Sequence, residues 1–139
     1  MKVVINNCFG GFGLSHEAMM RYGEIKGIKF YPEKVSYGYY IYWLTPPEAR
    51  IATVEGVKFY ELSFEDRKAY NEQYSKQTIY DRDIARDDPV LIQVVEELGK
   101  KASGAHAELK IVQIPDDVSW EIEEYDGNEH IAETHRTWS

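Results

Sequence analysis

The stretch Cys8-Phe9-Gly10-Gly11-Phe12-Gly13-Leu14-Ser15 sets three glycines between a β-branched run, Lys2 to Asn7, and a helix start. A glycine turn at that place can aim backbone N–H groups and the positive end of a helix dipole at an anion. Phe9, Gly10, Gly11, Phe12, Gly13 and Ser15 are therefore a candidate ligand cradle, with the two phenylalanines free to stack on a base or to fold back on the core. The segment matches neither the dinucleotide fingerprint nor the phosphate loop, because no Gly-Lys-Ser/Thr follows. Arg82 and Arg86, with Arg50 and Lys58, supply the cations that would grip a ligand phosphate, the arginines bidentately and the lysine as a point charge.

Three further groupings could carry chemistry. Glu133 and His135 fall on one face of a strand opposite Trp120, where a carboxylate and an imidazole on an apolar surface would do acid-base work, unless that strand simply leaves the core. His130 points to the opposite face. Cys8 is either a nucleophile partnered by His16 or a buried structural thiol. Asp81, Asp83, Asp87 and Asp88 resemble oxygen ligands but lack the glycine and distal glutamate of a calcium loop, and Arg82 and Arg86 neutralise them, so a capped salt-bridge cluster is expected. No metal site and no cofactor is expected, and no complete set of nucleophile, base and orienter is recognisable.

The elements that must position these groups are legible in part. Ser15 as N-cap and Gly27 as stop bound a helix whose face is Leu14, Ala18, Tyr22 and Ile25. Two β segments split by Pro32 follow, the second running from Val35 to Leu44. Arg50 to Leu62 reads as a hairpin turning near Glu55-Gly56, with Ile51, Val54, Val57 and Phe59 available for burial. Ser63 with Asp66 announces a polar helix from Phe64 to about Ser75, with a thin apolar face of Phe64, Tyr70 and Tyr74. Asp88-Pro89 opens a helix with a core face of Leu91, Val94, Val95 and Leu98, and Ala107 to Ile114 alternates as a strand. At the end, Asp126-Gly127 specifies a type I′ hairpin turn. Its register sets Tyr125 opposite Asn128, Ile122 opposite Ile131, Trp120 opposite Glu133, Val118 opposite His135, Glu123 opposite His130 and Asp117 opposite Arg136. One flaw remains in it, since Glu124 opposes Glu129.

These elements predict a single α+β domain over 1–139, with one mixed or antiparallel sheet, about three helices and a C-terminal β-hairpin. The 139 residues are enough for one sizeable core. No apolar run is long enough to span a bilayer, no cleavable leader precedes Lys2, and a lone cysteine suits a reducing compartment, so a cytoplasmic protein is expected. The net charge of −8 argues against a nucleic-acid partner. Residues 107–139 hold nine acids and two bases, so the close of the chain is either a solvated acidic face or a surface for a basic partner. Eleven tyrosines, four of them in Tyr37, Tyr39, Tyr40 and Tyr42, supply amphipathic area suited to interfaces and base stacking, or serve as ordinary strand residues.

Three stretches together, MKVVINNCFGGFGLS at 1–15, RDIARDDPVLIQVVEEL at 82–98 and IPDDVSWEIEEYDGNEHIAETHRTW at 114–138, resemble a family of small uncharacterised proteins of bacteriophages and prophages. Residues 29–80 carry none of that likeness. The resemblance implies a host-cytoplasm setting and a role against host defence, and it carries over no catalytic residue. Three readings follow: a non-catalytic oligomer that sequesters a nucleotide-derived small molecule, an acidic inhibitor of a host nucleic-acid-binding protein, and a small hydrolase using Glu133 and His135 or Cys8. The first is the expectation adopted here.

Overall fold

The computed structural model describes residues 1–35, 38–52 and 57–134, with residue 57 by its backbone alone. In chain order the elements are β1 (Lys2–Asn6), α1 (His16–Lys26), β2 (Tyr31–Lys34), β3 (Tyr40–Trp43), α2 (Val57–Tyr60), α3 (Phe64–Gln77), β4 (Thr78–Ile79), α4 (Pro89–Leu98), β5 (Leu109–Gln113), β6 (Trp120–Tyr125) and β7 (Asn128–Glu133). The fold is α+β and closes on the expected hairpin. Among the described residues its strands form three small antiparallel groups, β1-β5, β2-β3-β4 and β6-β7. The chain gathers into two compact units, one built from residues up to Gly27 and from Asp81 onward, the other from Ile28 to Tyr80.

In the first unit, Val3, Val4 and Ile5 of β1 are buried with Ala18, Met19 and Tyr22 of α1 and Leu91, Val94 and Val95 of α4. The caps are as the sequence requires. Ser15 Oγ accepts the Ala18 N–H, and Gly27 ends α1 at φ 74°. Asp88 accepts the N–H groups of Val90 and Leu91 and also receives the Tyr22 hydroxyl at 2.7 Å. Its own partial burial raises the Asp88 pKa, but the bonds from Tyr22, Val90 and Lys26 together outweigh that and hold it below the usual carboxylate value.

The hairpin register is the expected one from Tyr125↔Asn128 to Trp120↔Glu133, turning through Asp126 at φ 48° and Gly127 at φ 84°. Positive φ at both central residues is the type I′ condition. Glu123 meets His130 at 2.9 Å across the outer face. The pairings expected for His135 and Arg136 lie outside the described residues.

The second unit departs from the sequence reading in three places. Pro32 sits inside β2 instead of dividing two segments; β2 is the edge of its group, where a missing N–H is tolerated. The hairpin expected over Arg50 to Leu62 is not formed: Val57–Tyr60 is a helical turn, and Arg50 closes a 3-10 turn at Pro47–Ala49. The predicted turn at Glu55-Gly56, with Val54, lies outside the described residues. Phe64, expected on the apolar face of α3, is 74% exposed, and α3 buries no residue at all.

Two glycines separate conformational from packing constraint. A Cβ at Gly127 would lie 2.6 Å from the Gly11 nitrogen, while one at Gly27 would meet open space, although both φ values are positive. Gly27→Ala should cost only the left-handed penalty of about 1–2 kcal/mol. Gly127→Ala adds overpacking of about 1–3 kcal/mol. Urea unfolding should therefore rank Gly127→Ala well below Gly27→Ala in stability, and equal losses would contradict the contact between turn and loop. Because the folded pKa of Asp88 is depressed, its charge contributes stability above the unfolded value near 3.8 that is lost as pH falls through the folded one. Asp88→Asn keeps a competent cap and should flatten that acid limb in urea titrations run below pH 4.

Candidate functional site

Two of the residues expected to hold a ligand, Arg86 and Phe12, meet beside a carboxylate of the protein itself, Glu129. Strand β1 exchanges backbone bonds with the β5 side at Met1 and Asn7, so by antiparallel alternation the N–H groups of Val4 and Asn6 face the opposite edge. Among the described residues no strand pairs there. Val4 N–H donates to the Arg86 carbonyl at 2.8 Å, the Arg86 guanidinium donates to the Val4 carbonyl at 3.3 Å, and Asn6 N–H donates to Glu129 Oε1 at 2.8 Å. Arg86 then grips Glu129 through two nitrogens, at 2.7 and 3.0 Å, and its guanidinium carbon lies 3.5 Å from the centre of the Phe12 ring. Glu129 is the residue whose opposition to Glu124 is the flaw in the hairpin register. Its charge is buried and answered from another element, while Glu124 stays exposed.

The glycine loop is fastened to the same cluster. Asn6, wholly buried, donates to the carbonyls of Cys8 and Gly127 and accepts from Glu108 N–H and the Cys8 thiol. A Cβ on Gly10 would overlap the His106 carbonyl, and Gly11 lies against Gly127. Gly13 accepts the Gly104 N–H, the Leu14 N–H donates to Asp81, and Ser15 Oγ donates to the Lys101 carbonyl as well as capping α1. Phe9 is 67% exposed and Arg82 is also exposed. The Cys8 thiol also donates to the His106 carbonyl. Glu133 stands exposed opposite half-buried Trp120, and His135 lies outside the described residues.

The second unit holds a concavity that the sequence reading missed. An open groove of about 780 Å³ runs along α3. Phe59 and Phe64 are its aromatic lining residues. Two adjacent rows of α3 line the rest, Phe64, Lys68, Glu72 and Lys76 in one and Arg67, Asn71 and Ser75 in the other, each at four-residue spacing. Three cations thus face one carboxylate in a chain whose net charge is −8. Lys68, Glu72 and Lys76 are spaced for ion pairs, yet among the described residues none is formed. The Arg67 Nε is buried without a hydrogen-bond partner among the described residues.

Behind the groove the aromatic rings form a continuous stack. Phe59 lies 5.8 Å from Tyr70, Tyr70 6.1 Å from Tyr74, and Tyr74 5.4 Å edge-on to the buried Trp43, over which Arg50 is held at 4.8 Å by its ion pair with Glu33. Burial, then the hydrogen bond to Tyr80, pushes the Tyr74 hydroxyl well above its ordinary pKa, so it stays neutral. Offset and edge-on rings add about 0.5–1.5 kcal/mol per pair beyond burial. That stiffness lets a helix without a buried residue present a fixed surface.

Compared with protein-family models, curated proteins and solved structures, the chain matches none of them. The chemistry of the two sites must therefore speak for itself.

The cluster at Glu129 makes a test of its own. Glu129→Leu leaves a partly buried guanidinium unpaired and should destabilise by about 3–5 kcal/mol, whereas the double variant Arg86→Met/Glu129→Leu should lose less than the single one. Urea unfolding measures both, and a double loss equal to the sum of the two single losses would refute the coupling.

Proposed function

We propose that this protein is a non-catalytic binding protein that sequesters a nucleotide-derived small molecule in the α3 groove. The observation that carries the reading is the pairing, in one concavity, of two phenylalanine rings with three cations that make no ion pair among the described residues. A base stacks on phenylalanine whatever its identity, for about 1–3 kcal/mol. Arg67, Lys68 and Lys76 meet the phosphates with charge-assisted bonds. The groove volume falls within the roughly 300–1,000 Å³ of small-molecule sites. In the phage setting implied by the terminal motifs, removing such a molecule from the host cytoplasm would silence a defence signal.

A thermal-shift titration tests this with adenine and guanine mononucleotides, dinucleotides and ADP-ribose. Ligand at a hundredfold its Kd stabilises by about 2.7 kcal/mol, which for a chain of this size raises Tm by roughly 5–10 °C. Arg67→Ala and Lys68→Ala should each abolish the rise without lowering the ligand-free Tm. A flat response up to millimolar ligand would remove the proposal.

A further inference from the structure

Resting on that reading, we infer that the ligand is a nucleotide carrying two phosphates separated by a ribose, of dinucleotide type, and not a mononucleotide or a nucleoside triphosphate. One row of α3 carries its side chains in a set order: aromatic Phe64, cationic Lys68, acidic Glu72, cationic Lys76. At 1.5 Å per residue, Lys68 and Lys76 stand about 12 Å apart along the axis with Glu72 midway. A run of directly linked phosphates that engaged both lysines would pass over the Glu72 carboxylate, like charge against like charge. A ribose between two phosphates removes that conflict. Its free 2′-hydroxyl donates to Glu72, Asn71 supplies an amide beside it, and the long flexible stems of Lys68 and Lys76 let each ammonium lean in to the phosphate on its side.

The flanking row agrees with this order. Arg67 sits beside Lys68, so the phosphate nearest the stacked base meets two cations. The far phosphate meets Lys76 with the Ser75 hydroxyl next to it. With Phe64 at the start of the row, the base is read by stacking, and the order of charges along the row supplies the selectivity.

Isothermal titration calorimetry on the full chain, at fixed salt, decides it with three probes: adenosine monophosphate, adenosine triphosphate and the 5′-phosphorylated linear dinucleotide pApA. The expected result is that pApA binds at least tenfold more tightly than either mononucleotide. Lys76→Ala should bring pApA down to the affinity of the monophosphate. Glu72→Gln should tighten the triphosphate and weaken pApA. Equal affinities for pApA and the monophosphate, or a preference for the triphosphate, would overturn this inference and leave the nucleotide-binding reading standing. Failure of all three probes to bind would overturn both.

Discussion

The first unit is organised by the need to satisfy the open edge of β1. A buried strand with unpaired N–H groups loses the desolvation cost of each, about 1–3 kcal/mol, and the usual remedy is another strand. Here the remedy is one residue and its counter-ion. Arg86 gives its carbonyl to Val4 and returns a guanidinium N–H to the Val4 carbonyl, while the carboxylate it grips, Glu129, takes the N–H of Asn6. That solution needs a buried acid, and the hairpin delivers it. Asn6 then binds the Gly127 and Cys8 carbonyls, so the turn, the glycine loop and β1 are fastened at one point. Two glycines follow from this crowding: Gly10, against the His106 carbonyl, and Gly127, against the Gly11 backbone, let chain segments approach where side chains would collide.

The same logic explains what was legible in the sequence. Ser15, Gly27, Asp88-Pro89 and Asp126-Gly127 act on their immediate neighbours, so local chemistry determines α1, α4 and the hairpin. The opposition of Glu124 and Glu129 was visible as a flaw in the register. Its cause was not, because the answer to Glu129 lies 43 residues away in Arg86. Likewise Arg86 reads as a grip for an anion, and it does hold one, the Glu129 carboxylate; no pattern of spacing says that this partner is internal.

The second unit was read less well, for a physical reason. Its elements are short, and their residues are stabilised by ring contacts between positions far apart in sequence, such as Trp43 with Tyr74. Val57, Phe59 and Tyr60 have strand propensity, yet they lie on a helical turn in which Phe59 meets Tyr70. Context overrides preference there. One signal did point to the groove: a helix whose apolar face is as thin as Phe64, Tyr70 and Tyr74 has little to bury, and its row of cations is then a surface in want of a partner. Units of opposite character result, one carrying the full charge of −8 outside 28–80 and one with seven bases balanced by seven acids.

The central claim is that ligand binding belongs to the aromatic, cationic groove on α3 and that the glycine loop is structural. Backbone amide NMR shifts followed during titration with pApA test it most directly. Perturbations should concentrate at Phe59 and from Phe64 to Lys76, with the amides of Phe9 to Ser15 unmoved. Saturable shifts centred on Phe9 to Ser15, with α3 silent, would contradict it.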